Sequence, residues 1–177
     1  VVARVSGTSR HITLDDVLDT LEEPAFLLVL DGIQDPHNLG ACLRVADAVG
    51  AHAVIAPKDR AVGLTQTAIK VASGAAESVP YITVTNLART LGQIKEQFNV
   101  RVVGTMLDEQ ALPIQQFDFT GTAVCVVMGA ADTGLRPITQ AQCDQKVYIP
   151  MAGNLQSLNV SVATGMALYE ACRQRNV

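Results

Sequence analysis

The chain has 177 residues, of which 49% are hydrophobic, 17% are charged and only 4% are aromatic, and it contains no tryptophan. These values predict one folded domain with an aliphatic core. No apolar run reaches the roughly 18 residues that indicate a membrane-spanning helix, and no signal peptide is evident. A net charge of −4 and a pI near 5.3 argue against a protein that coats polyanions non-specifically.

A local basic site is still compatible with this overall charge. Four cations fall close together in sequence, and four more come late in the chain: Arg44, Lys58, Arg60 and Lys70, then Arg136, Lys146, Arg173 and Arg175. Each is equally explained by an ordinary solvated face.

The cysteines indicate the redox environment. The chain has four, Cys42, Cys125, Cys143 and Cys172, and none shows the CxxC spacing of zinc and redox motifs. They predict buried free thiols in a reducing compartment. We therefore expect a cytoplasmic protein with neither a disulfide framework nor a metal site.

The chain from its start to residue 23 is polar and mixed, and a short helix is predicted to begin around Thr13. Because the chain opens on Val1 instead of methionine, we expect residues 1–23 to lead in from a preceding segment. Residues 24–177 are expected to form the folded domain.

Beyond residue 24, short apolar runs alternate with amphipathic stretches. We predict strands at 25–32, 51–57, 79–84, 100–106, 122–129 and 146–151. Helices are predicted at 38–50, at 65–77 with a break at Ser73-Gly74, at 86–98 with Asn86 as its cap, and from about 157 to 174. This alternation indicates an α/β domain with a mainly parallel sheet and helices on both faces.

In such sheets ligands bind at the carboxyl ends of the strands. That rule selects four loops: "DGIQDPHNLG", "PKDRAVGLT", "MGAADTGL" and "PMAGNLQSLN". In the first loop Pro36 fixes the entry to the helix, Asn38 is a candidate N-cap, and Arg44 lies six residues further on. Two interpretations fit: a capped helix with an exposed arginine, or an amide and a guanidinium that bind phosphate or ribose.

The loop "MGAADTGL" places Gly129 directly after a strand, where a ligand could approach the backbone closely. An ordinary turn explains the glycines equally well. The loop is neither GxGxxG nor GxxxxGK[ST], because Leu135 stands at the lysine position. A dinucleotide site of the usual kind is therefore not supported.

The segment "IPMAGNLQSLNVSVATG" carries four polar side chains just before the last predicted helix: Asn154, Gln156, Ser157 and Asn159. Ser157 or Asn159 alone would suffice as an N-cap, so the surplus suggests a ligand. No Ser/His/Asp or Cys/His order accompanies it.

Taken in order, "HNLGACLRVADAVGAHAVI", "MGAADTGL" and "IPMAGNLQSLNVSVATG" resemble the three motifs of the SpoU (TrmH-like) family of RNA ribose 2′-O-methyltransferases, part of the SPOUT superfamily. The resemblance covers residues 25–174. The phrases "DPHNLGACLR", "KVASGAAESVP" and "SLNVSVATG" are most similar to members that act on guanosine in bacterial 23S rRNA.

The resemblance implies a SPOUT fold whose C-terminal part forms a trefoil knot, although knots are rare among proteins in general. It also implies S-adenosylmethionine as methyl donor, rRNA as substrate, and a homodimer with active sites at the interface. Family members often carry a small N-terminal RNA-binding domain, which we expect to precede residues 1–23 and to be missing from this chain.

The resemblance also assigns residues. The catalytic roles fall on Asn38, Arg44, Ser157 and Asn159. Cofactor contacts, largely through main-chain groups, fall on Gly129, Ile149 and Leu158, with Met151 and Gly153 as neighbours. Because a free guanidinium stays protonated, Arg44 is expected to act together with a substrate phosphate.

One position departs from the family. The second motif normally has Gly-Ala-Glu, and the glutamate position falls on Ala131. Two functions therefore stand side by side: an active methyltransferase, and a catalytically weakened protein of the same fold that binds S-adenosylmethionine or RNA. A nucleotide-binding enzyme of another chemistry is a more distant alternative.

Overall fold

The computed structural model describes residues 12–130, 134–154 and 157–176. The helices are α1 (Leu14–Thr20), α2 (Pro36–Ala48), α3 (Gln66–Ala72), α4 (Ala75–Ser78), α5 (Leu87–Phe98), α6 (Pro137–Gln140) and α7 (Val160–Arg175). The strands are β1 (Phe26–Asp31), β2 (Ala53–Pro57), β3 (Tyr81–Val84), β4 (Arg101–Thr105), β5 (Leu112–Pro113), β6 (Val124–Gly129) and β7 (Gln145–Tyr148). Short 3-10 turns lie at Lys58–Arg60 and Ile114–Gln116.

The strands form one seven-stranded sheet in the order β3-β2-β1-β6-β4-β7-β5, and every neighbouring pair is parallel. The predicted parallel α/β sheet is confirmed. Asp31 pairs with Gly129, so β1 and β6 end side by side. The loops that follow the strands therefore meet at one edge of the sheet.

Apolar clusters cover both faces of the sheet. On one face Leu28 and Leu30 of β1 pack with α2, α3 and α7. On the other face Leu27 and Val29 pack with α1 and α5. Because β1 is buried on both sides, it is a continuous apolar run without polar alternation.

The start of α2 differs from the prediction. The helix begins at Pro36, Asp35 occupies the N-cap position without a side-chain cap bond, and Asn38 lies within the first turn. The prediction that Asn38 caps this helix is therefore wrong. Proline favours the first helical position because it has no N–H to satisfy there, and it holds the preceding residue in the extended region.

Other boundaries follow the local sequence signals. The predicted break after α3 is confirmed, with Ser73 and Gly74 at φ values of 55° and 93°, and Asn86 caps α5 as predicted. β7 ends at Tyr148, three residues earlier than predicted, because Pro150 cannot donate a ladder hydrogen bond. Across the described ranges, no helix is both long and apolar enough to cross a membrane.

Candidate active site

A cavity of about 130 Å³ opens where β4 and β7 end. Three of the residues assigned to the cofactor from sequence, Ile149, Met151 and Leu158, line it together. The remaining lining residues are Thr105, Met106, Leu107, Tyr148 and Ala163. Its walls are mostly apolar, which suits a small organic ligand held by a few polar groups.

Thr105 contributes a hydroxyl group to the lining of the cavity. Its Oγ1 is buried and finds no hydrogen-bond partner among the residues that the structure describes. Leaving a buried hydroxyl unsatisfied costs free energy, so a ligand that bonds to Oγ1 would be favoured.

An ion pair fixes one wall of the cavity. Lys146 of β7 donates from Nζ to Oδ2 of Asp108 at 2.8 Å, and the backbone N–H of Gln110 donates to Oδ1 at 2.7 Å. The hydrogen bond from Lys146 is the main cause that holds the pKa of Asp108 below its usual range. The loop after β4, which carries Leu107, is thus tied to β7.

Gly129 has a structural reason to be glycine. A Cβ there would lie 2.5 Å from the carbonyl oxygen of Gly134, because the chain folds back and Gly134 bridges to Ala130. Gly129 does not line the cavity, and neither does Gly153, which is exposed. The predictions for Ala131 and Gln156 lie outside the described residues.

Arg44 is exposed on α2 and lies between two open grooves. One groove, between α2 and α3, is lined by His37, Thr67, Lys70, Val71 and Ser73 together with Arg44. The other runs from Ala41, Val45 and Ala48 to Ser161 and Val162 at the start of α7. Arg44 is thereby brought close to the predicted polar cluster before α7.

Within that cluster Asn159 is the N-cap of α7, since its Oδ1 accepts from the backbone N–H of Ser161 at 2.9 Å. Ser157 is exposed just before it. Asn38 is half-buried and lines neither groove. Within one chain Ile149, Met151 and Leu158 therefore meet at the cavity and Arg44 lies at the two grooves, whereas Asn38, Gly129 and Gly153 line none of them.

A buried carboxylate escaped the sequence predictions. Asp31, fully buried, accepts from Nη2 of Arg136 at 2.9 Å and from Oγ1 of Thr139 at 2.7 Å, and Nε of Arg60 lies 3.7 Å away. This network ties together the segments that follow β1, β2 and β6. The available signal was an aspartate at the end of an otherwise apolar predicted strand, where it was given no role of its own.

The loop after β4 was also missed, although it supplies Thr105 and Leu107 to the cavity. The strand-end rule applies to it as much as to the four loops selected from sequence. Its polar run, Asp108-Glu109-Gln110, is also typical of an ordinary solvated loop, so composition alone did not draw attention to it.

The remaining groups to consider are the cysteine thiols and the side chains that could bind a metal ion. All four cysteines are free thiols, and burial raises the pKa of Cys42 to about 11. In the parts of the chain that the structure describes, no group of three or more His, Cys, Asp or Glu side chains could hold a metal ion.

Parallel strands, helices on both faces and a cavity at the strand ends define an α/β protein with a candidate site built from its loops. A sequence model of the SpoU rRNA Methylase family matches residues 25–169, most of the chain. The chain belongs to this family, and the resemblance inferred from its motifs is confirmed.

Curated relatives are highly similar. The 23S rRNA (guanosine-2'-O-)-methyltransferase RlmB of Acinetobacter baylyi is 68% identical over 162 residues, which cover 92% of this chain and 64% of that protein. The protein of the same name from Escherichia coli is 53% identical, over 99% of this chain and 72% of the relative. The chain thus spans a little under two thirds of the Acinetobacter baylyi protein's length.

Solved structures share the fold. The SpoU methyltransferase AviRb from Streptomyces viridochromogenes, in complex with AdoMet, matches with a TM-score of 0.81 and 28% identity over 92% of this chain and 64% of that one. The AdoMet-bound rRNA methyltransferase from Sinorhizobium meliloti matches with a TM-score of 0.77 and 27% identity over 89% of this chain and 59% of that one.

Proposed function

We propose that this chain transfers a methyl group from S-adenosylmethionine to a ribose 2′-oxygen of RNA, with a guanosine of 23S rRNA as the target. The observation that carries the proposal is the cavity that gathers Ile149, Met151 and Leu158 at the ends of β4 and β7. The activity for which relatives that are 53–68% identical are named supports the substrate.

The residues that line the cavity suit a contact with part of the cofactor. Ile149 and Leu158 would hold S-adenosylmethionine through main-chain groups, and Oγ1 of Thr105 offers the unsatisfied hydrogen-bonding group. When bound, the cofactor supplies an activated methyl group. AdoMet in the Streptomyces viridochromogenes and Sinorhizobium meliloti structures supports this assignment.

The protein's own residues must orient the 2′-hydroxyl and help to remove its proton. A protonated guanidinium is a poor base, so Arg44 acts with a phosphate of the substrate and stabilises developing charge. Asn38, Ser157 and Asn159 position the ribose. The cap bond of Asn159 occupies Oδ1 and leaves its amide N–H groups for that contact.

A second copy of the chain completes the site in this proposal. Val162, Met166 and Tyr169 are 52%, 46% and 64% exposed. Their spacing places them on one face of α7, and exposed apolar stripes of this kind mark protein interfaces. Because Val162 also lines a groove beside Arg44, a homodimer through this face would bring Arg44 towards the partner's cavity.

The C-terminal trefoil knot and the domain limits belong to the same proposal. Residues 24–177 form the methyltransferase domain, and α1 in the lead-in packs onto it through Leu14 and Leu18. A cytoplasmic location is also part of the proposal, because the proposed substrate is rRNA.

The alternative of a catalytically weakened binding protein gains no support from the comparisons. The similar curated proteins carry the name of an active methyltransferase.

The test is a methyl-transfer assay with labelled S-adenosylmethionine and fragments of 23S rRNA, with nucleoside analysis of the product. We expect 2′-O-methylguanosine from the unaltered chain. Arg44→Ala should lower the rate at least about 100-fold while cofactor affinity is unchanged, because Arg44 lies outside the cavity. Arg89→Ala, which removes an exposed cation from α5, is the matched control. Near-normal transfer by Arg44→Ala would contradict the assignment.

A further inference from the structure

The groove between α2 and α3 is uniformly basic at its charged positions. Its charged and ionisable lining residues are Arg44, Lys70 and His37, and no carboxylate lines it. This is unusual in a chain whose net charge is −4. The groove is therefore a local positive site on an acidic protein.

Arg44 and Lys70 also differ from several other cations of the fold. Lys95 and Lys146 pair with Asp144 and Asp108 at 3.3 Å and 2.8 Å. Arg44 and Lys70 form no ion pair with any residue in the described ranges, and both are exposed. Their charges are available to an external anion.

Close packing of the two helices fixes the groove. A Cβ on Gly40 would lie 2.5 Å from the carbonyl oxygen of Ala68 and 2.7 Å from Cβ of Val71. Arg44 follows Gly40 by one helical turn, and Lys70 directly precedes Val71. The contact between α2 and α3 thus holds the two cations over one groove, and Thr67 adds a hydroxyl donor there.

We infer that this groove binds a phosphodiester of the RNA strand beside the target ribose, and that Lys70 is a phosphate-contacting residue outside the recognised motifs. The inference rests on the proposed function and deepens it. Two cations and a hydroxyl give the charge-assisted hydrogen bonds that a phosphate accepts best. The same phosphate is the one with which Arg44 would act on the 2′-hydroxyl.

The experiment measures the affinity of a 23S rRNA hairpin fragment across a range of salt concentrations for the unaltered chain, Lys70→Gln, Lys70→Arg and Arg89→Gln. Each phosphate contact contributes about 0.7 to the slope of log affinity against log salt for a single strand. Lys70→Gln should flatten the slope by about that amount and lower the affinity roughly tenfold at low salt.

Lys70→Arg should keep the slope, because the charge and donors remain. Arg89→Gln removes one positive charge from α5 on the other face of the sheet and should leave the slope unchanged. Cofactor affinity should stay the same in all variants, which separates a lost phosphate contact from a damaged fold.

A Lys70→Gln slope equal to that of Arg89→Gln would overturn the inference. Failure of the unaltered chain to methylate RNA would count against the proposed function, but the comparison of salt slopes would still decide the role of Lys70. The two failures are thus distinguishable.

Discussion

At the scale of single residues, the side chain of Asp31 is held by several long-range contacts. Its carboxylate has no exposed surface and bonds to Arg136 and Thr139, which lie more than 100 residues later in the chain. A buried ion pair gains little over an apolar alternative, but removing one partner leaves an uncompensated charge. Asp31 therefore holds three segments of the site edge in register.

Asp31→Asn is expected to destabilise the fold by about 3 kcal/mol, because the partly buried guanidinium of Arg136 would lose the countercharge that Asp31 provides. Urea unfolding monitored by circular dichroism measures the change. Asp47→Asn, at an exposed position of α2, is the control and should stay within about 0.5 kcal/mol of the parent. Equal changes in the free energy of unfolding from the two substitutions would show that the hydrogen-bond network of Asp31 does not stabilise the fold.

Cys42 gives a prediction about pH. Burial raises the pKa of its thiol from 9.0 to about 11, so the folded state keeps a proton that the unfolded state loses. The free energy of unfolding should therefore fall as pH rises from about 9 towards 11. Unfolding titrations at several pH values measure this, and the fall should be smaller in Cys42→Ala. An identical pH profile for the two proteins would rule out the thiol as its source.

At the scale of elements, apolar periodicity identified the main strands and helices, because burial on both faces leaves a clear pattern in runs such as that of β1. The strand β5 was not predicted, because its two residues are too few to show an apolar periodicity. The start of α2 was predicted two residues too late, because asparagine is a common N-cap residue, whereas Pro36 occupies the first helical position. The resemblance to the SpoU family identified Ile149 and Leu158, whereas the proximity of Arg44 to Lys70 depends on tertiary packing through Gly40 and has no local signature.

Gly40→Ala tests that packing. The added methyl group would meet a backbone carbonyl of α3, so the helices must separate, at a cost of about 1–3 kcal/mol. Gly92→Ala in α5 is a matched control, because its Cβ would meet only Oε1 of Gln142, at 3.5 Å. The control should gain up to about 1 kcal/mol from helix propensity. Thermal unfolding of both variants is the measurement, and similar shifts would contradict the close contact.

At the scale of the whole molecule, the exposed stripe on α7 is the surface through which we propose that two copies of the chain associate. Tyr169→Glu should convert the proposed dimer into a monomer, because a charge would be buried in an apolar interface. Light scattering after size exclusion measures the mass, and methyl transfer should fall with it. Gln97→Glu on the exposed side of α5 should change neither. A dimer that survives Tyr169→Glu would place the interface elsewhere.

The sheet order has a consequence for the protein during its synthesis. β1, β2 and β3 are neighbours in both sequence and space. In contrast β6, the other neighbour of β1, begins about 100 residues after the start of β1. The basic groove of α2 and α3 thus emerges from the ribosome well before Ile149 and Leu158. A chain that stops early would contain the residues of the proposed RNA groove but would lack both α7, which packs against α2, and the residues that line the cavity. The proposed groove and the cavity therefore depend on the same C-terminal segment.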